Sequence, residues 1–297
     1  MNTPLITSQN YRTASINNWQ SDMSYLYQLK NEKRDPIRMW LRAVSDASSV
    51  GEAVRKDEFG EAMEKLSHTF AWIFTTTGKL YATRFDGQPA LTDMDGVPLQ
   101  SATDILFAKY PGICPYCGKT ETCHCPVLRK TIAKETKVER RNRIREARKR
   151  VVMLNNVPNS LPEIAYMFDR IYGEAHYEVG LDIITFHFLE EVGEVAWCLT
   201  TLYDGAKSTA DPVLLTTQLA EEIADTIAWG FAIVNKLASL TSQNLILKAL
   251  ELPSTGVQVS DSQLNYNLLP DWLWHIYTGP SHDELRCPKC MRRPCQC

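Results

Sequence analysis

Two acidic clusters and two cysteine clusters carry the chemistry that this sequence can do. Glu190-Glu191-Val-Gly-Glu194 and Glu221-Glu222-Ile-Ala-Asp225 repeat one pattern. Glu191 and Glu194 are three apart, as are Glu222 and Asp225, so on helices each pair shares a face. Acidic pairs at this spacing are commonplace on solvated helices. These differ in their setting: Val192 and Val195 flank one pair, Ile223 and Ile227 the other. If the two helices pack together, four carboxylates meet inside the bundle. Two like charges about 4 Å apart repel by roughly 4 kcal/mol at an effective dielectric of 20. Divalent cations offset that repulsion, and all-oxygen ligation suits Mg²⁺ or Mn²⁺ over zinc.

Eight of the nine cysteines fall into CPYCGKTETCHC (Cys114, Cys117, Cys123, Cys125) and CPKCMRRPCQC (Cys287, Cys290, Cys295, Cys297). Two residues between cysteines let both thiolates reach one ion from a tight turn, and four thiolates suit tetrahedral zinc. Paired disulfides would need an oxidising compartment, for which no targeting signal is visible. Iron–sulfur ligation fits the close CxC pairs less well. Two structural Zn²⁺ knuckles are expected, closed to substrate because all four positions are filled. Cys198 stands alone in an apolar helical context and reads as a buried small hydrophobe.

The elements that position these groups recur. Ser48 to Val54 (SSVGEAV) lies against Glu190 to Ala196 (EEVGEVA), and Phe70 to Leu80 (FAWIFTTTGKL) against Ile227 to Leu237 (IAWGFAIVNKL). Asp104 to Gly112 (DILFAKYPG) then lies against Asp271 to Gly279 (DWLWHIYTG), and a cysteine cluster comes after each. Four matches in one order suggest a tandem duplication. In that register Glu191, Glu194, Glu222 and Asp225 correspond to Ser49, Glu52, Lys65 and His68, so the first half should not hold Mg²⁺.

The coarse reading is helical throughout. Ser160 and Glu163 form a capping box, with Pro162, ahead of a helix through Tyr172. A helix from Asp182 to Tyr203 stops near Asp204-Gly205. Asp211-Pro212 opens another to Leu237, with a stripe of Leu219, Ile223, Ile227, Phe231 and Val234. A shorter helix is expected from Thr241 to Glu251, ending at Pro253. Asp35-Pro36 opens the helix bearing Val50-Gly51-Glu52. With few segments of period two, the fold class is all-α. The expected domains are 1–126, a degenerate repeat with its knuckle; 127–159, a basic helical linker; and 160–297, an active repeat with its knuckle.

The 297 residues carry 32 Lys+Arg against 35 Asp+Glu, net −3, and 44% are hydrophobic. This is an ordinary globular composition, neither disordered nor collagen-like. The N-terminus MNTPLITSQN shows no basic region with an apolar block, and Ile227 to Val234 is only a short apolar run beside Asp225. A cytoplasmic protein without a membrane partner is expected. Arg129 to Arg150 is the exception to the even charge, with 11 basic and 3 acidic residues. Such a run is most simply a solvated helix joining two domains. Tracking a phosphate backbone is the other reading, and no aromatic interleaves the run for base stacking.

HFLEEVGEVA followed by LAEEIADTIAWGFAIVNKL resembles the all-α nucleoside triphosphate pyrophosphohydrolases, the MazG-like group related to dimeric dUTPases. The match covers about Ser160 to Glu251, and Glu191, Glu194, Glu222 and Asp225 fall on the family's ExxE and ExxD positions. The resemblance implies that these four bind Mg²⁺ and that a nucleoside triphosphate is cleaved between its α- and β-phosphates, giving the monophosphate and pyrophosphate. It further implies a pseudo-dimer of two tandem MazG-like bundles, and leaves room for pairing with a second chain. Water would be activated by the cation or by a spare carboxylate, Glu190 or Glu221. Trp229 is a candidate for base stacking, although Trp72 repeats it and core packing explains both. Lys236 is a candidate phosphate contact that Lys79 repeats, which favours a structural role. His187 matches a histidine that often precedes the first pair. The alternative is a zinc-containing adaptor that binds nucleic acid or protein without catalysis.

Overall fold

A computed structural model describes residues 5–125, 135–154, 157–204, 211–241, 264–278 and 283–297. The expected helix from Thr241 to Glu251 and its stop at Pro253 lie outside them, except Thr241. Residues 129–134 of the basic run, the 126/127 boundary, Gly205 and Gly279 lie outside them too.

Among the described residues the fold is helical, with one two-residue hairpin. Local capping sets where the helices begin. Helix α1 (Ile16–Leu26) starts on Ser15, whose hydroxyl accepts from the Asn18 N–H. A single turn, α2 (Gln28–Asn31), precedes α3 (Pro36–Arg55), where Asp35 caps Arg38 N and Pro36 takes the first helical position. Helix α4 (Phe59–Leu80) leads to strands β1 (Arg84–Phe85) and β2 (Gln88–Pro89), paired antiparallel around Asp86-Gly87. Helix α5 (Ala102–Lys109) is capped by Ser101. Capping boxes start both α6 (Lys137–Met153), through Thr136 and Glu139, and α7 (Leu161–Glu178), through Ser160 and Glu163. Helices α8 (Leu181–Tyr203), α9 (Pro212–Thr241) and α10 (Leu268–Thr278) complete the order. Asp211 Oδ1 accepts from Val213 N at 3.0 Å at the start of α9. The expected boundaries of α8 and α9 differ from these by one and four residues, as fraying ends allow.

Helices α3, α4, α8 and α9 form the centre, α3 packing on α4 and α8, and α9 on α8 and α4. Trp40 donates its indole N–H across the α3–α8 contact to the Val192 carbonyl at 2.9 Å. At the α4–α9 contact Phe70 meets Phe231 edge-on, with centroids 5.4 Å apart. A Cβ on Gly230 would lie 2.8 Å from Phe70 Cζ, so only glycine allows this approach. Buried residues from both halves of the chain belong to one continuous apolar cluster.

The halves exchange their last parts. Helix α5, from the first half, packs on α9, while α10, from the second, packs on α4. The cysteine loop after α5 docks on α7, where Thr122 N and Cys123 N donate to the Arg170 and Ile171 carbonyls at 2.9 and 2.6 Å. The loop after α10 docks on α1, where Cys295 N donates to the Leu26 carbonyl at 2.7 Å. Ser15 and Ser160, the caps of α1 and α7, face each other in an antiparallel bridge.

One described helix, Pro212–Leu240 within α9, is long and apolar enough to cross a membrane by length and composition. Its most apolar window is 67% buried inside the fold, and the helix carries Glu221, Glu222 and Asp225. Its apolar character is that of a core helix.

Candidate functional site

Helices α8 and α9 bring three of the expected carboxylates together. Oxygens of Glu191, Glu194 and Glu222 all lie within 4.8 Å of one another. Glu222 is buried, Glu191 half-buried and Glu194 exposed, so the cluster opens to solvent on the α8 side. Burial, with Asp225, Glu222 and Glu194 adding their charge, pushes the Glu191 carboxyl up to about 8. Burial also pushes Glu222 up to about 7, against Lys109 and a 3.2 Å hydrogen bond from Gln218 Nε2. The donor set fits a hard divalent cation: oxygen ligands only, held apart by charge that a cation would neutralise.

Asp225, the fourth expected ligand, is engaged elsewhere. Its Oδ2 is paired with Lys109 Nζ, and its Oδ1 accepts from the Tyr110 hydroxyl at 2.5 Å. Both donors stand at the end of α5, in the other half of the chain. Sequence reasoning missed them. The one signal in the sequence was the match of DILFAKYPG with DWLWHIYTG, which keeps the tyrosine (Tyr110, Tyr277) and changes Lys109 to Ile276. Glu190 and Glu221 stay outside the triad: Glu190 is exposed and paired with His187 Nδ1 at 3.1 Å, and Glu221 is half-buried. Cys198 is buried as expected, its thiol pushed up to about 12 by burial and by Glu222 and Glu194.

The matched positions in the first half face other partners. Glu52 is bound by Arg55 on its own helix and by Lys56 at that helix's C-terminal cap, and Ser49 donates to the Ser45 carbonyl. Lys65 pairs with Glu64, and His68 Nδ1 meets the Tyr277 hydroxyl at 2.9 Å. Thus Tyr277 addresses His68 as Tyr110 addresses Asp225.

Trp229 is half-buried, and its ring already has partners from two helices: His187 stacks on it at 4.7 Å and His176 lies at 5.2 Å. Lys236 Nζ donates to the Tyr177 carbonyl at 2.9 Å, and Lys79 does the same to Glu32 at 3.0 Å. Each lysine thereby satisfies carbonyls at the end of a neighbouring helix, a structural use in both halves.

All eight clustered cysteines are free thiols gathered in two sets of four. Sulfur separations are 3.5, 3.6 and 3.8 Å in the first set and 3.3, 3.7 and 3.9 Å in the second. Zn–S bonds of about 2.3 Å place tetrahedral sulfurs about 3.8 Å apart, so both sets are compatible with zinc. Each turn closes alike: Gly118 N donates to the Cys114 carbonyl and Met291 N to that of Cys287, both at 2.8 Å. Gly118 takes φ +73°, suited to glycine, and Met291 adopts the same left-handed turn at φ +53°.

Helix α6 lies against the first cysteine loop. Arg143 donates to the Pro115 and Tyr116 carbonyls, and Arg140 sits 4.7 Å from the Tyr116 ring. Arg145 and Arg148 pair with Asp95 and Asp93. Much of the described basic segment is therefore neutralised by the protein's own acids.

The carboxylate shifts set an expected pH dependence. Unfolded glutamates release their protons near pH 4.3, whereas folded Glu191 and Glu222 keep theirs to about 8 and about 7. The folded state binds more protons across that interval, so stability falls as pH rises through it. His176, lowered to about 4 by burial, opposes this only below its ordinary 6.5. With the cysteine sites loaded and no other divalent cation, the melting temperature should fall between about pH 6.5 and 8. Mg²⁺ should flatten that slope. A profile that stays level without the cation would mean that the three glutamates do not share one site.

No family model, curated protein or solved structure matches this chain.

Proposed function

We propose that the chain is a divalent-cation-dependent nucleoside triphosphate pyrophosphohydrolase of the MazG-like type. The observation that carries this reading is the convergence of Glu191, Glu194 and Glu222 in a partly buried site, with Asp225 beside them. Carboxylates crowded together and partly buried are costly without a cation, and a purely structural helix pair has no need of them. These four residues would hold Mg²⁺ or Mn²⁺, and the cation would supply charge neutralisation on the phosphates.

The chain's own part is to bind, orient and accept a proton. Water attacks the α-phosphorus, the bond from that phosphorus to the bridging oxygen breaks, and pyrophosphate leaves with the bonding pair. The water proton passes to a carboxylate outside the triad. Glu190, oriented by His187, and Glu221 are the two at hand. The same reading makes the two halves a pseudo-dimer, in which the first has lost its acids and supplies α5 to the second. The two cysteine sets would hold structural Zn²⁺.

The experiment is a panel of nucleoside triphosphates incubated with Mg²⁺ and pure protein, with products separated chromatographically. Monophosphate and pyrophosphate in equal amounts are expected. Orthophosphate with the nucleoside diphosphate in place of pyrophosphate with the monophosphate, or no turnover of any nucleotide, would refute the reading.

A further inference from the structure

Both oxygens of Asp225 are taken, Oδ2 by Lys109 Nζ and Oδ1 by Tyr110 OH. The pair is deeply placed, with each side chain only 12% exposed. Asp225 is not one of the three acids whose oxygens lie within 4.8 Å of one another, although its charge acts on both Glu191 and Glu222. On the cation-site reading of Glu191, Glu194, Glu222 and Asp225, on which the inference below rests, Lys109 holds the fourth ligand before the cation arrives.

Lys109 and Tyr110 are held where they are by contacts of their own. Ser101 caps α5, Gln20 and Asn17 on α1 accept from Ala102 N and Thr103 N, and the cysteine loop anchors the next residues to α7. The first half supplies an internal comparison. Tyr277 is kept and meets His68, but the acid has become histidine and the lysine has become Ile276. The ammonium is present where the carboxylate is present and missing where it is missing.

We infer that Lys109 is a built-in ammonium ion occupying the Asp225 arm of the site, to be exchanged for the divalent cation. Binding of that cation and departure of Lys109 from Asp225 are then one event. An ammonium leaving its carboxylate in a buried place needs another anion, because an unpaired charge there is costly. The phosphate chain of a nucleotide brings one. Cation and nucleotide therefore bind cooperatively: Asp225 turns to the cation as Lys109 turns to a phosphate oxygen. An ordinary salt bridge that merely fastens α5 to α9 would have no such link to metal affinity.

The test is an electron paramagnetic resonance titration of the full chain with Mn²⁺, cysteine sites loaded, comparing wild type with Lys109→Met, Lys109→Arg and Tyr110→Phe. Lys109→Met is expected to bind Mn²⁺ about tenfold more tightly than wild type, and Lys109→Arg to stay close to wild type. An α,β-methylene nucleoside triphosphate, corrected for the Mn²⁺ it holds itself, should tighten Mn²⁺ binding to wild type and not to Lys109→Met. Tyr110→Phe removes one donor from Asp225 without unpairing a charge, so it answers the question even if Lys109→Met does not fold. Its Mn²⁺ affinity should rise severalfold. Affinities of folded Lys109→Met and Tyr110→Phe equal to or below wild type would overturn the exchange. Absence of nucleotide turnover in wild type would refute the proposed reaction while leaving the Mn²⁺ comparison to stand or fall alone.

Discussion

Glu222→Gln should lower nucleotide hydrolysis by about a thousandfold, yet leave the cation-free chain at least as stable as wild type. The two effects share one cause. Glu222 is buried within reach of Glu191 and Glu194, and burial with neighbouring charge already pushes its carboxyl up to about 7. An amide of the same shape keeps the acceptor oxygen for Gln218 Nε2 and removes one of three repelling charges. Without a cation the change relieves the site; with one, it deletes a ligand. Initial rates, Mn²⁺ binding and melting curves with and without divalent cation measure each part. Hydrolysis near the wild-type rate would take these carboxylates out of the chemistry. A marked loss of cation-free stability would mean that Glu222 serves packing instead.

Cys114→Ser and Cys287→Ser should each release one of two zinc ions, and only the first should silence turnover. A structural zinc contributes on the order of 10 kcal/mol to folding a loop with almost no core, so both variants should melt earlier. The first cysteine loop is docked on α7 and comes directly after Lys109 and Tyr110, which reach Asp225. Loosening it disturbs the end of α5 and the carboxylate site together. The second loop is docked on α1, and the tyrosine ahead of it, Tyr277, meets His68 instead of a member of the acidic cluster. At a temperature where both variants remain folded, Cys114→Ser should lose most hydrolysis and Cys287→Ser should keep most of it. Zinc content by mass spectrometry, melting temperature and turnover give the comparison. Equal losses would mean that the loops act only through global stability.

Short-range rules explain why some features are legible in the sequence. Capping at Ser160-Glu163, Asp35-Pro36 and Asp211-Pro212 places helix starts because a cap is settled within four residues. Cysteine spacing and the i, i+3 acidic pairs are legible for the same reason. The pairing of Lys109 with Asp225 is not, since 116 positions separate them and a lysine in a last helical turn is unremarkable on its own. Nor can periodicity reveal that α5 and α10 trade places, because either arrangement buries the same apolar face. The basic run reads from sequence as a surface of free charge; Asp93 and Asp95, which pair with Arg148 and Arg145, come from outside it.

The exchange of α5 and α10 divides obligations within the chain. Around Ser49, Glu52, Lys65 and His68 the first half does not carry the acidic quartet. Its last helix and cysteine loop bear instead on the other half, at Asp225 and on α7. A substitution in that helix or loop would accordingly be felt in the opposite half, where Lys109 and Tyr110 meet Asp225, as one at Tyr277 would be felt at His68.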